Sequence, residues 1–246
     1  MEQRKTAIVT GGATGIGRAV VLRLAQMGVN IVVNYSRSEP EAQETAELVK
    51  VAGAECLLQK ADVSDDNQVR QLIENTVDHF GKIDYLVNCA GTTNFVDMAD
   101  LEGLKEEYWD RALGVNVKGL FFVCRAASPY LKASGGSIVN ITSIAGLTGK
   151  GSSIAYAASK AAAVSVTKSL ALVLAPEVRV NSVAPGVVMT RWVAGNEKHI
   201  EKMSAGTPLK KVCQPDDVAE IVMSLLNASS MVTGQTIVVD GGFTMM

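Results

Sequence analysis

The stretch Lys5-Thr-Ala-Ile-Val-Thr-Gly-Gly-Ala-Thr-Gly-Ile-Gly17 runs from a short apolar β-type segment into a glycine turn, and an amphipathic pattern continues to about Met27. Strand, glycine turn and helix in that order make the entry unit of a nucleotide-binding α/β sheet. Gly11, Gly15 and Gly17 let the backbone turn tightly and let a pyrophosphate approach the helix N-terminus, where N–H groups and the dipole favour anions. The spacing Gly11-x-x-x-Gly15-x-Gly17 differs from the generic GxGxxG fingerprint. The rest of the chain must therefore carry the reading.

It repeats the same alternation. Apolar runs at Val29–Asn34, Glu55–Lys60, Ile83–Asn88, Ser137–Thr142, Val178–Val183 and Gln235–Val239 are separated by segments of helical length. Pro40 suits a first helical turn, Ser64-Asp65-Asp66 a helix start, and Gly81 a helix end. Tyr108–Ala133 reads as one or two helices with Asn116 in the middle, 155–174 as a long Ala-rich helix, and Pro215–Leu226 as another. The segment from Met189 to Lys211 has no clean period and reads as an irregular substrate lid. Strands apolar throughout imply a parallel sheet covered on both faces. The expectation is a doubly wound (Rossmann) α/β sheet of about seven strands in one domain, 1–246.

Composition excludes little and still narrows the field. The 246 residues are 48 % hydrophobic and 20 % charged, with a formal net charge of −2, so no electrostatic case arises for nucleic acid or an acidic membrane surface. The opening Met-Glu-Gln-Arg-Lys-Thr lacks a signal-peptide core, and a cytoplasmic location is expected. Cys56, Cys89, Cys124 and Cys213 are far apart, and only His79 and His199 supply imidazoles, so no metal site or disulfide framework is legible.

The chemistry concentrates between Ser143 and Lys160. Tyr156 and Lys160 stand four apart on the long helix and leave the same face. An ammonium beside a phenol favours phenolate and is expected to lower the tyrosine pKa from about 10 towards neutrality. Such a group exchanges a proton with a carbonyl or alcohol oxygen at working pH. Ser143, at the end of a strand, is placed to donate a second hydrogen bond to that oxygen. Ser152 and Ser153 read as helix caps and Thr142 as structural, and Asp240 belongs to an end-of-chain turn or subunit contact. Trp192, His199 and Met203 are candidate substrate contacts.

Taken in order, Thr10-Gly11-x-x-x-Gly15-x-Gly17, Asp62-Val63, Asn88-x-Ala90-Gly91, Asn116, Ser143, Tyr156-x-x-x-Lys160, Pro185-Gly186, Thr190 and Val239-Asp240-Gly241-Gly242 resemble the short-chain dehydrogenase/reductase family over essentially the whole chain. The pattern is most similar to its 3-oxoacyl-carrier-protein reductase branch. The resemblance implies Tyr156 as acid/base, Lys160 as the group that tunes it and binds the nicotinamide ribose, Ser143 as the group that polarises the substrate oxygen, and Asn116 as holder of a relay water. It implies cofactor contacts from Gly11, Thr14, Gly15, Ile16 and Gly17 to the pyrophosphate, Asp62 and Val63 to the adenine, and Asn88, Ala90 and Gly91 to the adenosine ribose. Pro185, Gly186, Val188 and Thr190 are implied at the carboxamide. Cys89 departs from the family, where many members carry a second asparagine.

The residues after Val33 are Asn34, Tyr35, Ser36 and Arg37, with no acid before Glu39. An NAD site needs a carboxylate there, whereas Arg37, with Ser36 and Ser38 as neutral donors, suits a 2′-phosphate. NADP(H) is therefore expected as the preferred cofactor, with NAD(H) usable because Thr14 stands where many NADP(H)-using relatives carry a basic residue. The expected reaction interconverts a carbonyl and a secondary alcohol on a small-molecule or acyl-thioester substrate. A sugar or other small-alcohol dehydrogenase stands as an alternative, and so does a cofactor-sensing regulator or silent subunit. The stretches Lys132-Ala133-Ser134-Gly135-Gly136-Ser137 and Ala175-Pro176-Glu177 offer little to steer an acidic carrier. A homotetramer is expected, with helix 155–174 in an interface, as in relatives.

Overall fold

The computed structural model describes residues 4–193, 195, 197–227 and 230–245. Seven strands form one sheet: β1 (Thr6–Thr10), β2 (Asn30–Tyr35), β3 (Cys56–Lys60), β4 (Tyr85–Asn88), β5 (Ser137–Ile141), β6 (Arg179–Pro185) and β7 (Thr236–Val239). They lie in the order β3-β2-β1-β4-β5-β6-β7, every pair parallel. Winding runs outward in one direction from β1 and then in the other from β4, so the switch point falls between them.

Alternation along each strand sends side chains to two separate cores. Ala7, Val9, Ile31, Val33, Tyr85 and Val87 meet α1 (Gly15–Gln26), α2 (Glu39–Val51) and α9 (Pro215–Asn227) on one face. Ile8, Val32, Leu86, Ile138 and Val180 meet α3 (Asp66–Phe80), α5 (Leu120–Ser134) and α7 (Ile154–Leu174) on the other. Each fully buried Ile, Leu or Val contributes about 1.5–3 kcal/mol. The sheet therefore resists distortion where its carboxyl ends carry the site. Asp65 caps α3 by accepting from the amides of Asn67 and Gln68, and Gly81 ends that helix with φ +77°.

Two segments differ from the sequence expectation. The Tyr108–Ala133 stretch is wider and interrupted: α4 (Glu106–Leu113) passes through a π-turn, Gly114–Gly119, into α5, with Asn116 inside the turn. Within 189–211, a helix α8 (Glu197–Gly206) replaces the expected irregular chain. Its sequence holds too few apolar residues to trace a stripe, so periodicity could not reveal it. The side chains of His199 and Met203, candidate substrate contacts, lie outside the described set. Among the described residues, α7 is the one helix long and apolar enough to cross a bilayer. Half of that helix window is buried within the fold, and it carries Tyr156 and Lys160.

Candidate active site

The carboxyl ends of the strands open onto a cleft of about 1080 Å³ at the switch point. Its floor is the glycine loop. Gly11 adopts φ +61°, and a Cβ there would fall 2.9 Å from the Ala90 amide nitrogen. A Cβ on Gly17 would fall 2.2 Å from the Gly11 carbonyl oxygen, so only glycines let this loop lie flat against the turn after β4. Thr14, at the N-cap of α1, makes no side-chain cap bond and no acid occupies the first turn. The amides there stay open to an anion, as a cofactor pyrophosphate requires.

Along the wall, Gly12 N donates to Asn34 O at 3.0 Å, and the Asn34 amide donates to Gln59 O and Ala61 O. Asn34 is thus consumed in tying β1 to β3, and the exposed Ser36 and Arg37 face the cleft. Glu39 pairs with Lys60 at 3.3 Å. The residues present fit a dinucleotide whose adenosine ribose lies against the turn after β2.

The reacting end is built on β5, α6 (Ala145–Thr148) and α7. Ser153 caps α7 by accepting from Tyr156 N at 3.2 Å, which fixes where the phenol leaves the helix. One turn later, Lys160 Nζ lies 5.8 Å from the Tyr156 ring centroid and donates to Ile141 O at 2.8 Å. Burial outweighs the tuning expected from sequence. It pushes the Tyr156 phenol up to about 12, against which a hydrogen bond from Ser143 acts. It also lowers Lys160 to about 8, opposed by the neighbouring Cys89. The expected fall of the tyrosine towards neutrality is absent here, because dehydration exceeds the pull of a lysine already engaged with a carbonyl. The ring is half-buried and keeps a face to the cleft. Trp192 meets that ring edge-to-face at 6.4 Å.

The cleft lining includes Gly11, Thr14, Gly15, Ile16, Gly17, Ser36, Arg37, Asp62, Val63, Ala90, Gly91, Ser143, Tyr156, Lys160, Pro185, Gly186, Val188 and Thr190. Two expected residues face elsewhere. Asn88 is buried behind the sheet, where its amide donates to Asn140 Oδ1 at 2.9 Å and to Cys124 Sγ at 3.2 Å. Asn140 continues to Thr167 Oγ1, so this polar chain aligns β4, β5 and α7 and engages the Asn88 side-chain amide. Asn116 is also buried: its amide donates to Thr92 O and Ser159 Oγ, and its Oδ1 accepts from Thr92 N. A relay water there is left with the second Oδ1 lone pair or the backbone carbonyl.

Ser152, expected to be a cap, instead shares a 2.5 Å hydrogen bond with Thr93, while its carbonyl accepts from Val96 N. This ties loop 92–103 to loop 144–153. Thr142 donates to Val183 O, and Asp240 caps the final turn through the amides of Gly242 and Thr244, both as expected of structural residues. Cys89 lines the cleft as a half-buried residue whose thiol is pushed up to about 12 by desolvation. Sequence reasoning missed Phe95, Arg111, Lys150, Arg191 and Phe243 on the cleft wall. Phe95, Lys150, Arg191 and Phe243 lie in loops or beside the last turn, where no periodic signal exists, and Arg111 sits near the end of the short α4.

A parallel sheet with a phosphate-ready glycine loop at its switch point, and a Ser–Tyr–Lys group beside it, defines a dinucleotide-dependent oxidoreductase. The family model described as enoyl-(acyl carrier protein) reductase matches residues 11–244. A Streptomyces violaceoruber protein assigned as ketoacyl reductase 2 of the granaticin polyketide synthase is 42 % identical over 240 residues, covering 96 % of this chain and 94 % of its own. The 3-oxoacyl-[acyl-carrier-protein] reductase FabG of Staphylococcus aureus is 37 % identical, with full coverage of both chains. A solved Burkholderia xenovorans structure, assigned to the short-chain dehydrogenases/reductases, superposes with a TM-score of 0.95 at 36 % identity and full coverage of both chains. The chain belongs to the short-chain dehydrogenase/reductase family, in its 3-oxoacyl-(acyl-carrier-protein)-reductase-like branch. It is an NAD(P)H-dependent oxidoreductase acting on CH–OH/C=O groups.

Proposed function

We propose that the protein is an NADPH-preferring reductase of ketones carried on an apolar body, with 3-oxoacyl thioesters as the leading substrate class. One observation carries this reading: the Tyr156 phenol, held next to Ser143, stands at the inner end of a cleft whose outer wall is apolar. Phe95 is 70 % exposed and Trp192 43 %, and Ile144, Met98 and Val193 continue the same surface. Exposed aromatic and aliphatic side chains around a cleft mark a binding surface for an apolar ligand. A sugar would leave them wet.

The cofactor, when bound, supplies the hydride to the carbonyl carbon. The chain's own residues do the rest. Ser143 donates a hydrogen bond to the carbonyl oxygen and orients it. Tyr156 gives its proton to that oxygen as charge develops there, and Lys160 stabilises the phenolate left behind. Proton return to Tyr156 runs through the Lys160–Asn116 neighbourhood. Arg111 and Lys150, at the mouth, supply cations for an anionic thioester arm, a role that Lys132 was not placed to serve. The 189–211 segment, with α8, serves as the substrate lid, and the enzyme works in the cytoplasm.

The test is NADPH oxidation with 3-oxoacyl thioesters of increasing length, beside sugars and an enoyl thioester. Each methylene buried on the apolar wall is worth about 0.8 kcal/mol, so kcat/KM should rise roughly fourfold per carbon over the first few. Faster turnover of sugars or of the enoyl thioester would defeat the reading. In the same assay the wild type should favour NADPH over NADH, and Arg37→Ala should cut that preference roughly tenfold or more, the range of a hydrogen bond to a charged group. A preference unchanged in the variant would remove Arg37 from the phosphate.

The same reading includes a homotetramer. Leu172 and Val173, near the end of α7, are 81 % and 66 % exposed, and Phe121 on α5 adds to the apolar area. β7 is an edge strand with Val238 turned outward, and an uncovered apolar edge invites a second contact. Light scattering at micromolar concentration should give four times the 25.9 kDa chain mass. A monomeric mass would end this part of the proposal.

A further inference from the structure

Arg191 spans the cleft from the loop after β6 to the turn after β2. Its Nη1 donates to Ser38 Oγ at 3.0 Å and lies 3.7 Å from Glu41 Oε1. Thr190, one residue earlier, presses on the glycine loop: a Cβ on Gly15 would meet Thr190 Cγ2 at 3.2 Å. Trp192, one residue later, is the ring that packs edge-to-face on Tyr156. Three consecutive residues thus touch the pyrophosphate floor, the ribose turn and the proton donor.

The guanidinium sits at the turn that presents Ser36 and Arg37, bonded to Ser38, the residue after Arg37. Two carboxylates, Glu39 and Glu41, open α2 beside that turn and would repel a phosphate. Lys60 pairs the first and Arg191 the second. The Arg191–Glu41 contact is weak to begin with, since both side chains are about half exposed (57 % and 42 %) and such pairs contribute about 0–1 kcal/mol. A dianionic phosphate offers a guanidinium shorter, charge-assisted bonds.

We propose that Arg191 is a second reader of the cofactor's 2′-phosphate, opposite Arg37, and that engaging it fixes Trp192 against Tyr156 at the mouth of the substrate site. The inference rests on the NADPH reading above and deepens it. Cofactor choice and substrate-site closure then share one strap. The 5′-phosphate and pyrophosphate are a poorer match, because the guanidinium's partners lie on the β2 turn and at the start of α2.

The probes are 2′,5′-ADP and 5′-AMP, which differ by the 2′-phosphate and carry no nicotinamide. Calorimetry on wild type, Arg37→Ala, Arg191→Ala and Arg191→Lys should show wild type favouring 2′,5′-ADP. Arg191→Ala should lower that preference roughly tenfold or more while leaving 5′-AMP affinity in place, and Arg191→Lys should retain part of it. An unchanged preference, or equal loss of both ligands, overturns the role of Arg191. Loss in Arg37→Ala alone overturns it while sparing the NADPH reading, whereas a wild type without preference sinks the NADPH reading and the role together.

In a Trp109→Phe background, Trp192 is the single tryptophan. Its emission should shift on adding 2′,5′-ADP, stay put with 5′-AMP, and lose the response in Arg191→Ala. Emission unmoved by 2′,5′-ADP, or moved equally by both probes, overturns the coupling to the substrate site.

Discussion

Tyr156→Phe is expected to lower kcat for carbonyl reduction by about 10²–10⁴-fold, the usual contribution of a positioned general acid, while cofactor affinity stays near wild type. That loss is about 2.7–5.5 kcal/mol of barrier. The change deletes one oxygen and keeps the ring that Trp192 and Lys160 contact, at 6.4 Å and 5.8 Å from its centroid. Packing is therefore conserved and the proton is not. Ser143 remains to polarise the carbonyl, which sets the residual rate. With its pKa near 12, the wild-type phenol is fully protonated at neutral pH, as a reductase requires of its acid. Single-turnover measurements with saturating NADPH isolate the chemical step. A variant that keeps more than about a tenth of wild-type kcat would mean the acid lies elsewhere.

How much of this was legible in the residues follows from which signals are local. The strands could be placed to within a residue or two because apolar runs in a doubly covered sheet have no competing reading once glycine and proline bound them. Lys160 and Tyr156 could be set on one face because helical spacing fixes it. Asn88 and Asn116 could not be aimed. A strand-end asparagine faces either the cleft or the core, and here Asn140 and Cys124 on neighbouring elements, far away in sequence, captured it. Asn116 lies in a π-turn, whose extra residue shifts the face that a 3.6-residue period would assign. The tyrosine's tuning was misjudged for a related reason. Spacing reports that a cation is near, whereas burial and the lysine's bond to Ile141 are tertiary facts. Arg191 escaped notice because its partners, Ser38 and Glu41, sit about 150 residues upstream.

Lys160→Ala should be the more damaging change, lowering kcat by at least as much as Tyr156→Phe and raising the KM for the cofactor as well. The ammonium is buried, bonds Ile141 O at 2.8 Å, and stands beside both the phenol and the turn at Gly91. Removing it takes away the charge that the proposed mechanism uses to stabilise phenolate and the donor it assigns to the ribose. Its pKa near 8 gives this residue a signature of its own. At pH 7 the lysine is charged by about ten to one, and above pH 8 it loses its proton while Tyr156 does not. So kcat/KM for the cofactor, which reports ionisations of the free enzyme, should fall about tenfold per unit above pH 8. Lys160→Arg keeps a permanent charge and should move that limb out of range even though its larger head lowers the rate. The stability effect has the opposite sign. Between about pH 8 and 10.5 the unfolded chain binds a proton at this position that the folded chain has released, so this group makes stability rise with pH in that window. Tyr156, raised from 10 to about 12, makes stability fall above pH 10. Cys89 and Cys124, raised from 9 to about 12, make stability fall above pH 9, so the window is about pH 8–9. Activity that declines there while the protein becomes harder to unfold would separate lysine deprotonation from denaturation. An alkaline limb that persists in Lys160→Arg would assign the ionisation to another group.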